Sequence, residues 1–180
     1  PRGGPLHGLS IGPDQIRPYR QPVERAAAGA LAEAVQEAVH RIERSSRPVI
    51  IAGVEIHRLG LQQEVVALAE ASGIAIASTM LGKSVVSEVH PLYVGLYEGA
   101  LGREEVTTFV EESDCVILLG TLLTDIDLGI FTAKLDASNS IYATCDELRI
   151  GHHHFHHVRL ADFLRGLEKA APRAAAGPGG

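Results

Sequence analysis

The chain has 180 residues, nearly half of them apolar and few aromatic, with abundant Ala and Gly and a formal charge of −6 at pH 7. That length suits one domain with a real core, and the small residues suit helices packed closely on a sheet. The charge gives no attraction to nucleic acid or an anionic membrane surface, no apolar run approaches the roughly 18 residues of a membrane span, and no signal peptide is visible, so a soluble, cytoplasmic protein is expected.

Residues 1–22, rich in Pro, Gly and Arg, and residues 172–180 read as linkers around a compact domain over 23–171. That is the pattern of a domain cut from a longer polypeptide. A helix is predicted over 23–44, where Leu31, Val35, Val39 and Ile42 recur at helical spacing opposite Glu33, Gln36, Glu37 and Arg41. "RPVIIAG" (47–53) is a short continuous apolar run between Pro and Gly, the signature of a strand buried on both faces of a parallel sheet. A helix over 61–72 carries Leu61, Val65 and Leu68, and "GIAIAS" (73–78) is a second strand. The helix over 102–113 should turn Val106, Phe109 and Val110 inward. "DCVILLG" (114–120) is the strongest strand, "NSIYATC" (139–145) another, and 161–170 the last helix. Strand and helix alternate, so the expected fold is α/β: a Rossmann-like three-layer α/β/α domain with about six strands in a mostly parallel sheet. Cys115 and Cys145 are too few for a disulfide framework and both end or open apolar runs. Both are expected to be small buried hydrophobes in a reducing compartment.

In such a sheet, ligands bind outside the carboxyl ends of the strands. The sequence places Gly53, Glu55, His57 and Arg58 there, then Thr79 and Lys83, then Gly120 and Thr121, then Cys145 and Asp146. Gly53, Glu55, His57, Arg58, Thr79, Lys83 and Asp146 are therefore the candidates for touching a cofactor. "GVEIHRLG" is not the GxGxxG fingerprint, however, and no phosphate-loop motif occurs. Tight-turn glycines account for these positions equally well.

"RIGHHHFHH" (149–157) raises the question of a metal. In an extended chain His152, His154 and His156 would share one face, and His153, Phe155 and His157 the other. Two histidines at i and i+2 can ligate Zn²⁺, which makes His152 and His154 the metal candidates. The remainder of a site is missing: there is no H-x-x-x-H or C-x-x-C pattern. Structural or interface histidines are the alternative. No G-x-S-x-G elbow and no cysteine with a histidine partner is evident, so no catalytic residue is assigned. Glu98 and the aspartates of "TDIDLG" read as caps, turn formers or interface groups.

Five blocks in order, "AGVEIHR", "LGKSVVSEVHP", "YVGLYEGALG", "SDCVILLGTLLTDIDLG" and "LRIGHHHFHHV", give a stretch over about 25–170 that resembles the central domain of thiamine diphosphate-dependent 2-keto-acid decarboxylases. The similarity is to the indolepyruvate, phenylpyruvate and pyruvate decarboxylase branch. It implies that the histidine-rich stretch is a family habit at the end of this domain and not a metal site. It also implies a three-domain, homo-oligomeric parent enzyme that uses thiamine diphosphate and Mg²⁺ to decarboxylate a 2-oxo acid to an aldehyde. The activating glutamate would lie in an amino-terminal domain and a GDG motif in a carboxy-terminal one, and no GDG occurs in this chain. The resemblance thus implies a structural or regulatory domain, inactive alone and holding no cofactor itself. Yeast-type relatives place a regulatory cysteine just after the first strand, where Glu55 stands here. Glu55, His57 and Arg58 are left as interface or effector contacts. The alternative is a free-standing nucleotide- or flavin-binding module on the same fold.

Overall fold

The computed structural model describes residues 28–122 and 135–175. Helix α1 (Ala28–Arg44) leads into β1 (Pro48–Ala52), followed by α2 (Val54–Leu59), α3 (Gln62–Ser72) and β2 (Ala75–Ser78). Then come β3 (Tyr93–Leu96), α4 (Glu104–Glu111), β4 (Cys115–Leu119), β5 (Ser140–Ala143), β6 (Leu148–Ile150), β7 (His153–Phe155) and α5 (Leu160–Ala170). Residues 23–27 of the predicted first helix and the aspartates of "TDIDLG" lie outside the described residues.

One sheet runs in the order β3-β2-β1-β4-β5-β6-β7. The first five strands in that order pair in parallel, and β6 and β7 add antiparallel. The sheet therefore has seven strands where about six were expected. The strands the periodicity did not mark are β3 and the histidine-rich stretch, which folds as two short strands and not as one extended run. Only residues 144–147 separate β5 from β6, too few for a parallel crossover, so the chain turns back on itself. Gly151, at φ +57°, makes the next reversal.

Alternation along the parallel strands sorts the core into two layers. Ile50, Ala52, Ile76, Ile117, Leu119 and Ile141 face α1, α3 and α5. Val49, Ile51, Ala77, Val116 and Leu118 face Val106 and Val110 of α4. Helices on both faces leave β1 and β4 with no solvent side, which is why both read as unbroken apolar runs. The buried stripe of α1 is Ala34, Ala38 and Ile42, while Leu31, Val35 and Val39 pack at its margin. Small residues let this helix approach α5 closely: a Cβ on Gly166 would stand 2.5 Å from Val35 Cγ2. Phe109, expected inward, is 38 % exposed on α4. Among the described residues no helix is long and apolar enough to cross a membrane.

Asp114 ties the α1–β1 corner to the start of β4. Its carboxylate accepts from Ser45 Oγ, from Ser46 N–H at 2.7 Å and from Arg47 N–H at 2.9 Å. Burial alone would push this carboxyl up, but those hydrogen bonds prevail and hold it below its ordinary range. A depressed folded value stabilises above the unfolded carboxylate range, and the contribution fades as pH falls through the folded value. Asp114→Ala is expected to cost about 1 kcal/mol near neutrality, discounted because the residue is exposed. In urea titrations the gap from the parent should close on acidification to about pH 2. The tail folds back on the same corner, since Ala175 N–H donates to Ser45 O at 2.8 Å.

Candidate functional site

The strand order reverses between β1 and β4, so the place where this fold can receive a ligand is the rim at Gly53 and Gly120. Here the chain meets itself. Gly53 N–H donates to Leu119 O at 2.9 Å and Glu55 N–H to Gly120 O at 3.0 Å. A Cβ on Gly53 would lie 2.3 Å from Gly120 O and 2.4 Å from Thr121 Cα. From the other side Gly82 closes in, where a Cβ would lie 2.4 Å from Ala52 O. The glycines after the strands thus admit the chain's own backbone. A diphosphate needs that same approach and those same N–H groups, so the residues present do not fit one at this rim.

Glu55 reaches sideways from α2 and is only 5 % exposed. Its carboxylate accepts from Cys145 N–H at 2.9 Å and from Cys145 Sγ at 2.8 Å, joining the rim of β1 to the rim of β5. Cys145 is exposed, correcting the expectation that it is buried; Cys115 is buried as expected. The Cys145 thiol is pushed up to about 12, first by desolvation and then by its hydrogen bond to Glu55 and the negative charges of Glu55 and Asp146. This pair was invisible in the sequence, because its members stand ninety positions apart.

Of the other strand-end candidates, Asp146 joins this pair, its carboxylate against the Cys145 thiol, and His57, Arg58, Thr79 and Lys83 do not. His57 and Arg58 are exposed on α2, and His57 Nδ1 pairs with Gln62 Nε2 at 2.9 Å. Thr79 is buried and its Oγ1 accepts from Gly82 N–H at 3.1 Å, which shapes the local turn. Asp146 is exposed in the β5–β6 turn, its N–H 3.4 Å from Thr144 Oγ1. Lys83 lies on the β2–β3 connection, in a cleft beside β3. Two buried side-chain oxygens lack hydrogen-bond partners among the described residues, Thr121 Oγ1 behind the rim and Glu98 Oε1 in that cleft.

The metal candidates stand on different elements. His152 occupies the β6–β7 turn and His154 lies on β7, facing Glu147 with Nδ1 3.3 Å from its Oε1. His156 and His157 follow the strand, so the three-histidine face expected of an extended run does not form. His153 Nδ1 pairs instead with Glu37 Oε2 of α1 at 2.9 Å. Among the described residues no three His, Cys, Asp or Glu side chains gather to hold a metal ion.

The fold and this rim define a Rossmann-like α/β domain whose ligand-binding edge is closed by its own backbone. Residues 35–167 match the family described as thiamine pyrophosphate enzyme, central domain, and the chain belongs to that family. It is similar to the indole-3-pyruvate decarboxylase of Azospirillum brasilense, 31% identical over 151 residues, which is 84% of this chain and 27% of that protein. It is similar also to pyruvate decarboxylase isozyme 2 of Saccharomyces cerevisiae, 32% identical over 145 residues, 81% of this chain and 26% of the relative. A third relative is an alpha-keto-acid decarboxylase of Mycobacterium leprae, 26% identical over 131 residues, 73% of this chain and 23% of the relative. The chain spans about a quarter of the length of the curated relatives it matches.

Proposed function

We propose that residues 23–171 are the central, structural or regulatory domain of a thiamine diphosphate- and Mg²⁺-dependent 2-keto-acid decarboxylase acting in the cytoplasm as a homo-oligomer. In this reading, domains elsewhere in the polypeptide hold the cofactor and carry the chemistry. The cofactor serves there as the electron sink for loss of CO₂ from a 2-oxo acid. The observation that carries the reading is the family match over 35–167, joined to relatives that are indole-3-pyruvate and pyruvate decarboxylases. The backbone-filled rim between Gly53 and Gly120 supports a role without a bound cofactor and speaks against the nucleotide-module alternative. His57 and Arg58, exposed on α2, remain candidate contacts to neighbouring domains, whereas the buried Glu55 carboxylate is taken up by Cys145.

The test compares the 180-residue chain with the whole native polypeptide, each given thiamine diphosphate, Mg²⁺ and pyruvate, phenylpyruvate or indolepyruvate in turn. The whole polypeptide should release CO₂ from at least one acid and the chain alone from none. Steady CO₂ release by the chain alone contradicts the reading. So would a clear rise in its unfolding temperature with micromolar FAD, NAD or ADP, because a ligand of the native state alone stabilises it by RT ln(1 + [L]/Kd).

A further inference from the structure

Among the described residues β3 ends the sheet, so the peptide groups on its outer side have no described strand to pair with. Its register against β2 slips by one residue, leaving Val94 without a β2 partner. Along this edge opens a cleft of about 550 Å³, within the range of small-molecule sites. Its lining includes the apolar Val94, Leu96 and Leu101, and Leu101 is 63 % exposed.

Four charged side chains line the same cleft: the cations Lys83 and Arg103 and the anions Glu88 and Glu98. They do not neutralise one another. Among the described residues Arg103 pairs only with Glu105 outside the cleft, at 3.6 Å, and the Lys83, Glu88 and Glu98 side chains have no ion pair or hydrogen bond. Glu98 Oε1 is moreover buried with no partner among the described residues, and a desolvated acceptor left open is costly until a donor reaches it. A simple anion would be drawn by one pair of charges and repelled by the other, and a simple cation likewise. What satisfies both is a molecule with an ammonium and a carboxylate on neighbouring atoms and an apolar arm for the apolar lining.

We propose that this cleft binds a free α-amino acid with an apolar side chain, its ammonium on Glu98, its carboxylate toward Lys83 and Arg103, and its side chain over Leu96 and Leu101. The inference goes beyond the decarboxylase reading and does not depend on it, since neither Gly53 nor Gly120 lines the cleft.

The test is thermal unfolding of the 180-residue chain with L-leucine, isoamylamine and isocaproate, which carry both charges, the ammonium alone and the carboxylate alone. L-Leucine at about ten times its dissociation constant should raise the midpoint by about 3–6 °C. Neither single-charge analogue should match it at the same concentration. Lys83→Met, on an exposed side chain, and Glu98→Gln should each abolish most of the shift. No shift with L-leucine at tens of millimolar, an equal shift with isoamylamine or isocaproate, or a shift undiminished in Lys83→Met overturns the proposal. The analogue series on the unaltered chain decides the matter even if Glu98→Gln fails to fold.

Discussion

Gly53→Ala should unfold the domain or destabilise it by more than about 4 kcal/mol, a large part of the total stability of a domain this size. The reason is space alone. Gly53 has an ordinary extended backbone, φ −109° and ψ −178°, that any residue adopts. Its new methyl group would overlap Gly120 O, Thr121 Cα and Gly120 C, all within 2.6 Å and all backbone. Backbone at the junction of two central strands cannot swing aside as a side chain tip can. Relief would require parting β1 from β4 where Gly53 N–H and Glu55 N–H bind Leu119 O and Gly120 O. Gly60→Ala is the contrasting control. Gly60 is left-handed, φ +67°, with nothing within 4 Å of where its methyl group would stand, so only backbone strain of about 1–2 kcal/mol is expected. Urea titration of both variants reads the difference. If Gly53→Ala lost no more than Gly60→Ala, the rim would hold room that a ligand could use.

Cys145 should react with an aromatic disulfide reagent about 10²-fold more slowly at pH 8 than a free thiol, although the residue is exposed. A thiol held up at about 12 presents a far smaller thiolate fraction than one near 8.5, by about 10³-fold. The higher basicity of that thiolate returns between one and two powers of ten in reactivity for each ion. Glu55→Gln removes a full negative charge and the carboxylate acceptor at 2.8 Å, so the reaction should accelerate by about tenfold or more. Cys115, buried and also pushed up to about 12, should stay unmodified in both proteins and serves as the internal reference by mass mapping. Equal rates in parent and variant would mean that Glu55 does not hold the thiol. The same substitution should cost about 1–3 kcal/mol in unfolding, because it breaks up a partly buried hydrogen-bond set between two strand rims.

The parts of this molecule legible in the sequence are those where a local rule acts alone. β1 and β4 are buried on both faces and so appear as unbroken Val, Ile and Leu runs. α5 turns Leu160, Phe163, Leu164 and Leu167 inward, and their spacing marks the helix within one residue of its start. The α1 stripe is harder to read, since Ala34 and Ala38 bury completely yet carry little hydrophobic signal beside Leu31 and Val35. Phe109 misleads because a large apolar residue on a short helix need not face the core. The β6–β7 hairpin gives no warning, since a run of histidines has no strand period and its Gly151 is flanked by residues of no turn preference. Long-range facts have no local trace at all. Glu55 against Cys145, the collision reserved at Gly53, and the unpaired charges beside β3 exist only once the strand order brings distant segments together.

Whether this domain serves a longer decarboxylase is tested most directly by the mass of the native polypeptide in its source cells. Antibody raised against the 180-residue chain would detect it after denaturing electrophoresis. A band several times the mass of this chain, enriched together with thiamine diphosphate-dependent decarboxylase activity, is the predicted result. A band at 19.1 kDa alone, with no decarboxylase activity in the same fraction, would contradict that role.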